Sequence, residues 1–230
     1  MGYSNGELRE GFKAAGAQFV PVSGTTIDLT DITVSGYDKE EGTAEEVSVQ
    51  TLDKNGSMVN KYFWYDAVDG SDVYYGWLDF ASGEFVEPGQ VKFAVGDGLW
   101  VDAPSTAFKI QTSGQVMTES AAVILREGFK MVSNPTPVAI DLTDVTVTGY
   151  DKEDGTAEEV SVQTLDKNGS MVDKYFWYDA VDGTDVYYGW LDFASGEFVE
   201  EGAVSVGAGE ALWTDAPGTA FKLVLPGVTL

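Results

Sequence analysis

The chain repeats itself, and no other feature limits its possible folds as strongly. Residues 26–110 align with 139–223 without a gap at a constant offset of 113, and roughly 68 of those 85 positions are identical. Gly42–Val59 recurs in full as Gly155–Val172, and Asp72–Glu87 as Asp185–Glu200. Upstream the offset becomes 117, where Leu8-Arg9-Glu10-Gly11-Phe12-Lys13 returns as Leu125-Arg126-Glu127-Gly128-Phe129-Lys130. A period of this length is a whole domain, because solenoid repeats run about 20–50 residues. The reading is one domain at 1–115 and its duplicate at 116–230, joined by the short polar segment Thr112–Ser120. So short a linker holds the copies close. Their differences concentrate in the entry segment and around residues 88–98, which is where the copies are expected to make different contacts.

Within a copy the punctuation is that of antiparallel β structure. Glu46-Val47-Ser48-Val49-Gln50-Thr51 alternates polar and apolar, the period of a half-buried strand. Asn55-Gly56 follows, a pair that favours a type I′ hairpin turn, and Met58–Tyr65 is the return strand. Further strands are predicted at Asp28–Val34, Val73–Phe80, Glu84–Val86, Val91–Val95, Leu99–Val101 and Ala107–Ile110. A helix over Leu8–Ala17 fails on Gly11, and in the second copy Pro135 and Pro137 follow closely. Short strands with frequent turn signals predict an all-β protein of two tandem antiparallel β-sandwich or small-barrel domains.

Composition narrows the chemistry. There are 38 acidic and 13 basic residues, a formal net charge of −25, so a nucleic-acid partner is not expected. With neither Cys nor His, the chain has no thiol nucleophile, no His-based triad and no Cys/His zinc site. Carboxylate chemistry of the glycosidase kind remains open in principle. A domain of about 115 residues leaves little room for a deep cleft, and a non-enzymatic role is expected. No stretch approaches the roughly 20 apolar residues of a membrane span. The start, Met1-Gly2-Tyr3-Ser4, reads as an initiator Met on a trimmed secreted chain.

Two features are candidate sites. Asp66, Asp69 and Asp72 flank Gly70, and Asp179, Asp182 and Asp185 flank Gly183. Calcium takes six to eight oxygen ligands, which acidic loops around a glycine turn can supply. The spacing does not match the EF-hand loop, and Asp and Gly are also ordinary turn residues. The second feature is aromatic: Tyr62-Phe63-Trp64-Tyr65, then Tyr74, Tyr75 and Trp77, with Trp100 further on. Consecutive strand residues point to opposite faces, so part of the run is exposed unless both faces are covered. An exposed aromatic cluster marks an interface or a sugar-stacking platform. Gly96-Asp97-Gly98 enters a strand and not a helix, so no phosphate-cradling loop is read there.

The unit resembles a module of secreted proteins of unknown function from gut and environmental bacteria, especially the Verrucomicrobia and Lentisphaerae group. Gly2-Tyr3-Ser4-Asn5, Gly128-Phe129-Lys130-Met131-Val132-Ser133-Asn134-Pro135 and Gly96-Asp97-Gly98-Leu99-Trp100-Val101 carry the likeness. The first copy departs at Ala15–Phe19, which lacks the Asn-Pro, and the second has Glu210-Ala211 where the glycines fall. The resemblance implies an extracellular location and no known catalytic residue.

Together these features predict a secreted structural subunit of a filament, tube or surface layer, with copies of itself as partner and calcium as the cation it would take. Tyr3–Phe12 and Phe221–Leu230 are the segments expected to add a strand to a neighbour, head to tail. The competing expectation is a monomeric cell-surface adhesion or glycan-binding module.

Overall fold

The computed structural model describes residues 2–7, 10–17, 26–36, 40–41, 45–69, 71–104, 108–149, 160–166, 168, 170–182 and 184–228. They form β structure throughout, apart from two single 3-10 turns at Leu29–Asp31 and Leu142–Asp144. The first copy opens with β1 (Gly2–Glu7), β2 (Gly11–Ala15), β3 (Thr26–Asp28), β4 (Thr33–Ser35) and β5 (Glu40–Glu41). It continues with β6 (Glu45–Leu52), β7 (Met58–Asp69), β8 (Asp72–Asp79), β9 (Lys92–Ala94), β10 (Leu99–Ala103) and β11 (Lys109–Gly114). The second copy has β12 (Ala121–Ile124), β13 (Gly128–Ser133), β14 (Ile140–Asp141), β15 (Thr146–Thr148) and β16 (Ser161–Leu165). It ends with β17 (Met171–Asp182), β18 (Asp185–Asp192), β19 (Ser205–Val206), β20 (Ala211–Ala216) and β21 (Lys222–Leu225).

Each sheet draws its strands from one side of residue 115. In the first copy a sheet ordered β1-β11-β4 faces a larger one ordered β2-β10-β6-β7, with β8 also on β7. The second copy repeats this as β12-β21-β15 and β13-β20-β16-β17-β18. A two-stranded ribbon, β3-β9 or β14-β19, completes each copy. Among the described residues the pairing is antiparallel except where β5 lies parallel to the end of β7. Side chains from the sheets of one copy meet in one core: Leu29, Val34, Val47, Val49, Trp64, Trp77, Val101 and Ile110. Leu142, Val147, Val162, Trp177, Trp190 and Leu223 are among their counterparts.

Several boundaries differ from the sequence reading for local reasons. Asp28–Val34 is not one strand, because the Asp28 carboxylate accepts the Thr30 N–H at 3.0 Å and hydroxyl at 2.7 Å. That competes with the extended ladder and installs the 3-10 turn. The turn at Asn55-Gly56 is not type I′, since Gly56 has φ +81° and Asn55 is not left-handed. Asp53 instead accepts the N–H of Asn55 and Ser57 at 2.9 and 2.8 Å, giving a type I turn closed by a left-handed glycine. Glu84–Val86 contributes a single bridge, Leu78 to Phe85. Much of the supposed linker is strand, as β11 runs to Gly114 and Thr112 is buried.

The chain ends differ as well. β1 pairs with β11, and β21 is flanked on both sides by β12 and β15. The last strand therefore has no open edge to offer a neighbour.

The two copies pack on each other through a third apolar cluster: Ala14, Leu52 and Trp100 from the first, Met131 and Ala211 from the second. The contact is reciprocal. Gly16 donates its N–H to the Gly209 carbonyl at 2.9 Å, and their counterparts repeat the bond, Ser133 N–H to Gly96 carbonyl at 2.8 Å. The bridges Ala15 to Glu210 and Asp97 to Val132 exchange in the same way. The copies are thus related by a pseudo-twofold axis, the arrangement of an isologous dimer within one chain. Trp100 and Trp213, which are equivalents, meet edge to face at 5.9 Å and 83°. Lys130 pairs with Asp97 at 2.7 Å, and Arg126 donates to the Leu52 carbonyl at 2.6 Å. Of the segments that differ between the copies, residues 14–17 and 96–98 and their counterparts lie in this contact. They make reciprocal bonds there and not the different contacts expected from the sequence, while Lys92–Ala94 pairs with β3.

Replacing the buried Trp100 by Ala should cost about 3–5 kcal/mol, measured by urea unfolding. The loss in Trp100→Ala/Trp213→Ala should fall short of the sum of the singles by about 0.5–1.5 kcal/mol, the worth of an edge-to-face pair. Strict additivity would mean that the rings are not coupled.

Candidate functional site: the hairpin faces and acidic positions

The longest strands of each copy, β7 with β8 and β17 with β18, form the hairpin that carries both candidate features. In the first, Trp64 lies opposite Trp77, Tyr65 opposite Gly76, Asp66 opposite Tyr75, and Asp69 opposite Asp72. The acidic segment is therefore not a loop. Strand pairing continues through Asp66 to Asp69, and Gly70 and Gly183 lie outside the described residues.

The six carboxylates have different settings. Asp66 and Asp179 are buried, 3% and 2% exposed, whereas Asp72 is exposed. Asp69 and Asp182 sit at the hairpin ends, paired with Asp72 and Asp185. The side chains of Asp69, Asp182 and Asp185 lie outside the described residues. Asp66 is three positions back from the Asp69–Asp72 pair, about 10 Å along the strand. Among the described residues no three acidic groups come together as a metal site. In the second copy, Asp179 with Trp177, Tyr188 and Thr146–Gly149 lines a cleft of about 380 Å³. A carboxylate between aromatic walls has the chemistry to receive a cationic group.

The aromatic residues divide by strand alternation. Trp64 and Trp77 point into the core and pack edge to face at 5.4 Å. They are unavailable for stacking on a sugar. The opposite face of the hairpin carries Lys61, Phe63, Tyr65 and Phe80. The Lys61 ammonium lies 4.5 Å above the Phe63 ring, which meets Phe80 edge-on at 5.4 Å. Tyr65 meets Phe85 at 5.8 Å. Gly76 takes φ +147°, which a residue with a Cβ rarely adopts, and the Phe85 ring lies over it, 3.4 Å from where a Cβ would be. Bare glycine beneath an aromatic ring is a known way to cover a strand.

The second copy reproduces this surface: Lys174 over Phe176 at 4.6 Å, Phe176 with Phe193 at 5.4 Å, and Tyr178 with Phe198 at 5.9 Å. Tyr74, Phe80, Tyr187 and Phe193 are exposed on this face, whereas Tyr75 and Tyr188, 65% and 66% exposed, lie on the other face of the hairpin beside Trp64 and Trp177. Each chain therefore displays the same aromatic face twice. Sequence reasoning singled out the tryptophans and passed over Phe80, Phe85 and their twins. A glycine in mid-strand, Gly76, was the signal that another ring lies on top.

Two acids are tuned by their local partners. Burial pushes the Asp28 carboxyl upward, but the Thr30 hydroxyl and N–H, the Gly89 N–H and Lys92 outweigh it, and its pKa falls below the ordinary 3.8. Asp141 shifts the same way against burial, through the Thr143 hydroxyl and N–H and the Gly202 N–H. A depressed folded-state pKa means stability that is present above the unfolded value and lost as pH falls through the folded one. Asp28→Asn/Asp141→Asn should lower the thermal midpoint at neutral pH and flatten its decline below about pH 4. A midpoint that falls as steeply in the variant as in the parent would exclude this contribution.

No protein-family model, no curated protein and no solved structure matches the chain.

Proposed function

We propose that this chain is a non-enzymatic, secreted structural protein, the subunit of an extracellular filament, tube or surface layer. The observation that carries the reading is the duplicated hairpin face. The copies present Tyr74, Phe80 and Phe85, and again Tyr187, Phe193 and Phe198, on pseudo-twofold-related surfaces. Exposed apolar patches on a water-soluble surface mark contact sites. A block with two equivalent patches joins two neighbours, and such contacts propagate unless they close into a ring. Strand addition by Phe221–Leu230 is the less favoured route, since β21 already has a partner on each side, whereas β1, among the described residues, keeps an open edge. Secretion rests on the resemblance noted in the sequence, and no catalytic residue is assigned.

A net charge of −25 opposes association of like chains. Calcium bound at the hairpin ends, where Asp69 faces Asp72 and Asp182 faces Asp185, would offset that repulsion between neighbours. A second reading is favoured by Tyr75 and Tyr188, exposed on the other face of each hairpin: a monomeric adhesion or glycan-binding module in which these tyrosines stack on sugars.

Light scattering and negative-stain microscopy across a concentration series, with and without calcium, separate the two. The first reading expects concentration-dependent polymers, promoted by millimolar calcium and abolished in Tyr74→Ser/Phe80→Ser/Tyr187→Ser/Phe193→Ser. A chain that stays monomeric at high concentration in every condition would sink it. A reproducible glycan-array hit lost in Tyr75→Ala/Tyr188→Ala would support the second.

A further inference from the structure

At a pseudo-twofold axis, equivalent residues face each other, and an axial position must accommodate two copies of whatever side chain occupies it. Here the two copies do not carry the same residue. Gly16 faces its equivalent Ser133, and a Cβ on Gly16 would overlap the Ser133 Cβ and Oγ. Gly98 faces its equivalent Ala211, where a Cβ would lie 2.8 Å from the Ala211 Cβ and 3.0 Å from the Met131 Cβ. Met131 in turn has Ala14 as its counterpart in the first copy. Neither Gly16 nor Gly98 is in the left-handed region, so a side chain is excluded there by the opposite copy and not by the backbone. Ser133 uses the freed space to donate its hydroxyl to the Asp97 carbonyl at 3.1 Å.

We infer that the duplicates have become a socket and a plug: the face built on Ala14, Gly16 and Gly98 accepts the face built on Met131, Ser133 and Ala211 and rejects its own kind. Two plug faces would press Ser133 on Ser133 and Ala211 on Ala211 about the axis. Interiors packed at crystal density do not absorb such overlaps without displacement. Two socket faces would leave the space of three side chains empty. Rejection of the wrong partner is built from steric conflict as much as from fit to the right one. The partner this surface takes is therefore the second copy, of the same chain or of another chain that exchanges halves with it. The inference does not depend on the assembly proposal, because it concerns the surface buried inside each chain.

Three variants of the full chain test it. Ala14→Met/Gly16→Ser/Gly98→Ala sets plug against plug, and Met131→Ala/Ser133→Gly/Ala211→Gly sets socket against socket. The six-fold variant exchanges the two faces. Urea unfolding should show the folding equilibrium constant falling at least about tenfold for plug on plug. Socket on socket should also lose stability. The exchanged chain should recover at least half of the plug-on-plug loss on a logarithmic scale. A plug-on-plug chain as stable as the parent would overturn the inference. So would an exchanged chain no more stable than plug on plug, and if plug on plug does not fold, an exchanged chain that also fails to fold decides against it.

Discussion

One indole holds each copy together. Trp77 is almost wholly buried in the larger sheet, packed edge-on against Trp64, and its Nε1 donates to the Ile32 carbonyl at 2.6 Å. A buried indole N–H without a partner would cost stability, so this bond fixes where the ring can sit. Ile32 follows the 3-10 turn and leads into β4 of the smaller sheet. The bond is therefore a strut between the two layers. The Asp28 carboxylate then ties the start of that turn to Gly89, 61 residues away, at 2.5 Å. Trp190, Val145, Asp141 and Gly202 repeat the construction with the same distances. Two copies built on one strut and one clamp come out nearly alike despite their different entry segments.

What the sequence made legible was whatever depends on neighbours along the chain. Alternation in Glu46–Thr51 and the turn at Asp53–Gly56 marked β6, β7 and their hairpin, and Gly11 with Pro135 and Pro137 spoke against an entry helix, where the described residues hold strands. The errors fall where a side chain competes with the backbone. Asp28 looks like any strand-end acid until its carboxylate is seen to fold Thr30 back on it. Asp66 looked like a loop ligand because Asp, Gly and Ser cluster after it, yet pairing with Tyr75 carries the strand past it. Aromatic residues were the hardest to place. Alternation says that neighbours diverge without saying which parity faces the core, and that choice is made by the Ile32 carbonyl, 45 positions from Trp77.

The interface between copies was legible only as a location. Segments that differ between otherwise identical duplicates are those where the duplicates are not in equivalent surroundings, and residues 14–17 and 96–98 qualify. Their chemistry needed coordinates. The space that a side chain on Gly16 would need is filled by Ser133. Phe129 N–H donating to the Lys54 carbonyl at 2.9 Å, beside the Gly56 turn, shows the same economy of space. A Cβ on the preceding Gly128 would lie 2.1 Å from that carbonyl oxygen, so this approach too needs a bare residue.

That closeness bears on how chains could meet one another. A duplicated domain with a loose linker has two free faces of each kind, and any of them could join a neighbour. Here the faces around the axis are occupied within the chain, and the terminal strands are bound into sheets. Besides the outer edges of β1 and β12, what remains in duplicate is the hairpin: a cation lying on an aromatic face, exposed rings, and paired acid positions at its end. Its rings favour contact through buried area, while the surrounding acids oppose it over the Debye length, about 8 Å in physiological salt. Attraction that acts only at contact and repulsion that acts before it give association that switches on with salt or divalent cations. In the assembly proposed above, contact through this face would therefore depend on ionic conditions as well as on its apolar area.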